Sequence, residues 1–321
     1  YDQKDKGVTM EVLFDVAHIS RQAFHRWRRP TQRQSTRTPQ HCVLDMAHTI
    51  RKRYLPGSSA REVYFYIRNK HQEFNSKLKG WGKHSFEAFC LKNGLRVEHR
   101  RFVPKTTVKG DFVYPNIIQG IKISNINQVW VSDICYLYGT NGALLGYATS
   151  LIDLYSRRLL GLGFSQTMHA AVTSNVVIQQ AFQELKADRF PGLIFHSDGG
   201  KQYIERKFTK ALSDKEIKSS MAESCYENAF AEAFNDILKN HILYDLNSFS
   251  QLKKQEHFIK YCYNHNRPHN SINRLTPLEF EQHILTLQDC QRTTLEIKVL
   301  DHSIIKYTKM PINNILTRVE V

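Results

Sequence analysis

Residues 127–138 read NQVWVSDICYLY, and the interpretation of this stretch decides the fold. Val129, Trp130 and Val131 lead in, and Ile134, Tyr136 and Tyr138 lead out. These β-branched and aromatic residues suit a pleated surface, so Asp133 is expected in mid-strand. Towards the C-terminus, residues 142–166 (GALLGYATSLIDLYSRRLLGLGFSQ) predict two antiparallel strands turning near Tyr155 and Ser156. A helix is expected over 169–186. In GLIFHSDGGKQY (192–203) a short apolar strand at 193–195 runs into Asp198 and a turn at Gly199 and Gly200. In CYENAFAEAFNDILK (225–239) the apolar residues Phe230, Phe234, Ile237 and Leu238 recur at helical spacing, with Glu232 on the same helix.

The expected order is therefore three strands, helix, strand, helix, strand, helix. Acids fall on the first strand, at the end of the fourth and on a late helix. Adjacent residues of one strand point to opposite faces, so carboxylates that share a site must converge from separate elements. Such a set suits hard divalent cations, which take oxygen ligands. Two of them about 3.5–4 Å apart can stabilise the attacking and leaving oxygens of an in-line displacement. An isolated Asp at a strand end is an ordinary turn former; three acids in three distinct settings carry more.

The segments NQVWVSDICYL, LIDLYSRRLLG, HSDGGKQY, NAFAEAFNDILK and YNHNRPHNSINRLTPLEF resemble the catalytic subunit of insertion-sequence transposases. The nearest group is the insertion sequence three family (OrfB type), related to retroviral integrases, and the resemblance spans residues 20–280. It implies an α/β protein with an RNase H-like core, a mixed five-stranded sheet with flanking helices, preceded by all-α helix-turn-helix modules. It further implies Asp133, Asp198 and Glu232 as a metal-binding triad for two Mg²⁺ (or Mn²⁺) ions. The implied activity is cleavage at element ends followed by transfer of the 3′-hydroxyl into DNA. Implied partners are double-stranded DNA (terminal inverted repeats and target), a homo-oligomer on DNA and an OrfA-type protein, fused or separate. The alternatives are a nuclease that only hydrolyses, or a DNA-binding regulator without catalysis. Two local departures stand out: 33 residues separate Asp198 from Glu232, slightly fewer than usual, and the turn reads Gly199-Gly200-Lys201.

Several further residues stand out. Asn235 and Lys239 share the Glu232 face at i+3 and i+7, resembling the integrase helix that lines the DNA end. Lys239 lies roughly 10 Å along the axis from Glu232, which suits a phosphate better than a shared metal. Lys201 and Arg267, the latter in the YNxxRPH pattern, are further expected DNA contacts. Glu223 and Glu227 rival Glu232 as the third acid. Asp153 reads as structural, and His196 as a packed histidine that could assist Asp198. Cys262, His265 and His269 supply at most three zinc ligands within an aromatic helix, so zinc is the lesser reading.

The formal charge is +15. Residues 1–110 hold 23 Lys and Arg against 9 Asp and Glu, so nearly all the excess lies there. Concentrated basic charge is the footprint of phosphate contacts. Residues 9–29 read as helix-turn-helix, with Ser20 capping a second helix that offers Arg21, Gln22, His25, Arg26 and Arg28 to DNA. Helices are expected over 41–54, after Ser58 or Ser59, and in GKHSFEAFCLKNGL, stopped by Gly94. The expected organisation is 1–34 helix-turn-helix, 35–104 second helical DNA-binding module, 105–124 extended basic linker, 125–283 catalytic core with its C-terminal helix, and 284–321 hairpin tail. That hairpin is LEIKVL and SIIKYTKM turning at Asp301 and His302. Six scattered cysteines without paired spacing fit a reducing compartment, and no apolar run reaches membrane-span length. The resemblance implies a bacterial cytoplasmic protein associated with the nucleoid.

Overall fold

A computed structural model describes residues 10–28, 37–70, 72–97, 113–139, 142–222, 229–239, 248–300 and 304–309. Residues 105–112 of the expected extended basic linker (105–124), Glu223, Glu227 and the turn at 301–302 lie outside the described residues.

The chain opens with α1 (Met10–Val16) and α2 (Arg21–Arg28). Ser20 Oγ accepts the Ala23 N–H at 3.1 Å, the expected cap, and Phe14 meets Phe24 with ring centres 5.2 Å apart. Four helices follow: α3 (Gln40–Arg53), α4 (Ala60–Lys70), α5 (Gln72–Ser76) and α6 (Lys83–Lys92). They close round their own apolar core, which includes Val43, Ile50, Val63, Ile67, Phe86 and Leu95. Gly94 ends α6 at φ +87°, a left-handed position that glycine takes without Cβ strain. Helix α5 was not expected, because five residues are too few to show a period.

Next come β1 (Lys122–Ile123), β2 (Val129–Tyr138), β3 (Leu144–Asp153) and β4 (Leu159–Ser165). After them lie α7 (Ser174–Leu185), β5 (Ile194–Ser197), α8 (Arg206–Asp214), β6 (Lys218–Met221) and α9 (Ala229–Ile237). The last elements are α10 (Phe249–His265), α11 (Pro277–Thr286), β7 (Leu295–Leu300) and β8 (Ile304–Lys309). Strands β2 to β6 form one five-stranded sheet in the order β4-β3-β2-β5-β6. The β2/β3 and β3/β4 pairs are antiparallel; β2/β5 and β5/β6 are parallel. This is the mixed sheet of an RNase H-like core, and it confirms the fold expected from the sequence.

Both faces of the sheet are covered, which is why β4 is buried along its whole length. Val129, Val131, Cys135 and Leu137 face the layer that holds Phe234, Ile259, Tyr263 and Phe280. Trp130 and Leu151 face Val177, Ile178, Phe208 and Leu212 of α7 and α8. The alternation along β2 thus puts odd-numbered residues on the α9–α11 side.

Two boundaries differ from expectation. The helix expected over 169–186 begins as a 3₁₀ turn at Ala170–Val172 and breaks at Thr173 (φ −121°, ψ −97°) before α7 starts. The Thr173 hydroxyl donates to the His169 carbonyl at 2.9 Å, a local bond that competes with helix continuation. The tail hairpin also differs. Strand β7 pairs with β1 as well as β8, in the register Lys122↔Glu296 and Ile123↔Leu295, so linker and tail form one three-stranded sheet. Ile123 and Ile297 from this sheet join the main core. A two-residue strand has no periodicity to read.

Candidate active site

Asp133 is the fifth residue of β2, on the face shared with Val131 and Cys135. The parallel register Val131↔His196 and Ser132↔Ser197 makes Asp198 the next position on neighbouring β5, one residue past its end. Adjacent strands lie about 4.8 Å apart, so the two carboxylates are neighbours on one face. The chemistry reflects this. Burial first, and the Asp198 charge second, push the Asp133 carboxyl up from 3.8 to about 7. Asp198 is raised by burial, opposed by the Gly200 N–H that its Oδ1 accepts at 3.1 Å. On the opposite face the Tyr203 hydroxyl meets Ser132 Oγ at 3.0 Å, and Ser132 Oγ donates to the Ser150 carbonyl at 2.7 Å. These bonds fix the strand beneath the acids. Nothing in the sequence singled out Ser132 or Tyr203.

Glu232 lies in the first turn of α9 and is exposed. Partial desolvation raises its carboxyl, and the Lys239 charge pulls it down. Its charge also reaches Asp133, so the helix brings the third acid to the same end of the sheet. Among the described residues, no three His, Cys, Asp or Glu side chains are gathered into a ready-made ion site. Mutual repulsion among carboxylates opposes such gathering without a cation.

The structure separates the residues expected beside Glu232. Asn235 does not face outward towards DNA. It is 3% exposed, and its Nδ2 donates to Asp133 Oδ2 at 2.6 Å. Its Oδ1 is buried without a hydrogen-bond partner. Helical spacing alone could not tell the two faces apart. Lys239 lies in the π turn (238–239) that follows α9, and its charge lowers the proton affinity of Asp133, Glu232 and Cys135. Its charge is thus felt at the acids across that axial distance.

Arg267 is a second correction. Its side chain is 7% exposed, and Nη2 meets Glu62 Oε1 of α4 at 2.8 Å, so it is turned into the protein rather than presented to DNA. Lys201 is exposed in a 3₁₀ turn after the glycines. Arg21, Gln22 and His25 are exposed on α2, while the side chains of Arg26 and Arg28 lie outside the described set.

The remaining candidates behave as structural residues. Asp153 is fully buried and accepts from the backbone N–H groups of Asn127, Tyr155 and Ser156, which shapes the β3–β4 turn. His196 is fully buried, bonds Ser220 Oγ through Nδ1 at 2.9 Å, and is pushed down from 6.5 to about 4 by burial. Cys262 is buried with its thiol pushed up to about 11, and half-buried His269 packs edge-on against Tyr263.

A mixed sheet with paired acids on its central strands and a third acid on a flanking helix defines the core of a polynucleotidyl transferase. Comparison with known proteins agrees. Two family models, each described as "Integrase core domain", match residues 124–225 and 214–277. The transposase for insertion sequence element IS904 of Lactococcus lactis subsp. lactis is 30% identical over 175 residues, covering 53% of this chain and 67% of that protein. Transposase InsF for insertion sequence IS3A of Escherichia coli is 28% identical over 286 residues, covering 85% and 94%. The HTLV-2 integrase catalytic core domain in complex with magnesium aligns with a TM-score of 0.38 at 16% identity, over 49% of this chain and 97% of that one. The chain belongs to the IS3 family of insertion-sequence transposases and carries an integrase core domain. It is a DDE-type integrase-core enzyme.

Proposed function

We propose that this transposase cuts DNA at the ends of its insertion element and joins the freed 3′-hydroxyl to target DNA, in one site built on Asp133, Asp198 and Glu232. The observation that carries this reading is the same-face placement of Asp133 and Asp198 on adjacent parallel strands, where both carboxyls are raised. A pair of ionised acids held so close calls for a cation. The donors are all oxygen, which fits Mg²⁺ or Mn²⁺ better than ions that prefer thiolate or imidazole. Two such ions, when bound, supply charge neutralisation at the reacting phosphate and lower the pKa of a bound water.

The chain's own residues divide the remaining work. Asp133 is the rigid member, held by strand pairing and by Asn235. Asp198 stands at the head of a glycine turn, where its Oδ1 accepts the Gly200 N–H. Glu232, at the accessible start of α9, completes the set from the helix side. Arg21, Gln22, His25, Arg26, Arg28 and Lys201 take DNA phosphates and bases, with residues 1–34 and 35–104 as DNA-binding modules ahead of the core at 125–283. The enzyme works as a homo-oligomer on element-end and target DNA, with an OrfA-type partner, at the bacterial nucleoid. Among the described residues no helix is long and apolar enough to cross a membrane.

A strand-transfer assay with Mg²⁺ or Mn²⁺ tests this reading. Wild-type protein should give joined product. Asp133→Asn, Asp198→Asn and Glu232→Gln should each abolish cleavage and joining with DNA affinity nearly intact. Hydrolysis without joining would make the protein a nuclease, and tight binding without chemistry a regulator. Activity in Glu232→Gln, with loss in Glu223→Gln or Glu227→Gln, would move the third acid.

A further inference from the structure

A polar seam joins α3 and α4 to residues 263–279, and two glutamates sit on it in the same way. Glu62 Oε2 accepts the Ser59 N–H at 2.7 Å and the Ser59 hydroxyl at 2.9 Å, capping α4, while Oε1 meets Arg267 Nη2 at 2.8 Å. Glu279 Oε2 accepts the Thr276 N–H at 2.8 Å and hydroxyl at 3.0 Å, capping α11, while Oε1 meets Lys70 Nζ at 3.1 Å. Each capping-box glutamate gives one oxygen to its own helix and the other to a cation across the seam. Three further contacts cross it. Lys70 Nζ donates to the His265 carbonyl, Asn266 Nδ2 donates to the Tyr54 carbonyl at 3.0 Å, and the Arg274 guanidinium lies 3.9 Å above the Phe65 ring centre. Asn273 and Arg274 are both left-handed (φ +59° and +62°), an unfavourable pair of conformations for non-glycine residues that forms part of the loop carrying Arg274.

The same stretch is tied to the catalytic sheet from its other side. Asn264 Oδ1 accepts the Leu159 N–H and its Nδ2 donates to the Leu159 carbonyl, both at 2.9 Å, and Tyr263 packs edge-on against Phe234 of α9. One short segment therefore connects the helical unit at 40–95 to the elements that carry the acids.

We propose that this seam is a gauge, with Arg267 as a positioning residue: it fixes the distance between the helical unit and Asp133/Asp198, and so selects which phosphodiester is cut. The inference rests on the transposase chemistry and DNA-binding helical unit proposed above. A duplex held by the helical unit reaches the acids at a set length only if the two bodies cannot slide. Misplacement by about 1 Å can lower a rate by about 100-fold. A loosened seam therefore slows cutting at the normal bond and lets neighbouring bonds compete.

The test uses full-length protein, Mg²⁺ or Mn²⁺, and an end-labelled duplex carrying the terminal repeat of the protein's own insertion element. Cut positions are read at single-nucleotide resolution, and duplex affinity is measured in parallel. Arg267→Gln should spread the cuts over neighbouring phosphodiesters and slow the normal one by about 10–100-fold, with affinity within about twofold. Arg267→Lys, which keeps the charge opposite Glu62, should restore part of the precision. The Lys70→Met/Arg274→Ala double variant disturbs the seam without stranding the buried charges, and should spread the cuts even if Arg267→Gln fails to fold. A single unchanged cut site in the folded variants overturns the gauge, whatever their affinity. A wild-type protein that cuts nothing overturns the catalytic reading instead.

Discussion

Asp133 is acted on by burial and by a neighbouring carboxylate at once, and the direction of its shift fixes how stability responds to pH. Its carboxyl is raised from 3.8 to about 7, so the folded state binds this proton more tightly than the unfolded chain does. The associated stability is full below about pH 4 and is lost as pH rises through about 7. Without divalent ions, the melting midpoint of wild-type protein should fall relative to Asp133→Asn over that window, by on the order of a few degrees. Added Mg²⁺ should reverse the fall, since it binds the folded, ionised site. His196 works in the opposite sense. Its value is depressed from 6.5 to about 4, so its contribution is present above pH 6.5 and is lost as pH falls through about 4. The difference between wild-type and Asp133→Asn midpoints removes that shared background. Parallel midpoint curves for the two proteins would show that Asp133 is not strained.

Helix α9 makes a prediction that runs against intuition. Lys239 lowers the proton affinity of both Asp133 and Glu232, so it acts as a resident counter-charge for the acids. Lys239→Met should lower the metal-free melting midpoint yet enlarge the increment gained on adding Mg²⁺, because the ion no longer competes with a fixed cation. An unchanged increment would place Lys239 outside the site. On the other side of the sheet, α7 packs closely against β4. A Cβ added at Gly161 would lie 2.6 Å from the Val177 carbonyl oxygen. Gly161→Ala should therefore destabilise the fold by about 1–3 kcal/mol, measured by denaturant unfolding, because backbone rather than a flexible side chain must give way.

At the scale of the whole molecule, charge and docking have to be considered together. The basic excess lies in the N-terminal third, yet Arg267 and Lys70 are turned inward to hold two parts of the chain together. Deleting residues 1–110 would remove the helical side of the seam as well as its charge, so single neutralisations are the cleaner measurement. Arg21→Ala and Lys201→Ala should each reduce the log–log salt slope of duplex binding by about 0.9, the release expected per neutralised phosphate. Arg267→Gln should leave the slope unchanged, since its guanidinium already faces Glu62. A slope that falls for Arg267→Gln would return that residue to the DNA surface.

Local pattern was enough for much of this protein. The β-branched and aromatic run round Asp133, the turn at Tyr155 and Ser156, the Ser20 cap and the helical spacing round Glu232 all rest on residues a few positions apart. Those elements appear where the sequence places them. Asp133 and Asp198 could also be anticipated on one face, because strand alternation and parallel pairing follow general rules. Tertiary structure decided which way the polar residues point. Asn235 is turned inward by an acid 102 residues away, and Arg267 by a glutamate on a helix in the N-terminal third. The pairing of β1 with β7 likewise brings a two-residue strand, too short for any period, to a strand that the sequence pairs only within its own hairpin. An exposed and a buried polar residue can have the same spacing on a helix, and only the partner brought up by folding separates them. Such a partner leaves no trace in the neighbouring sequence.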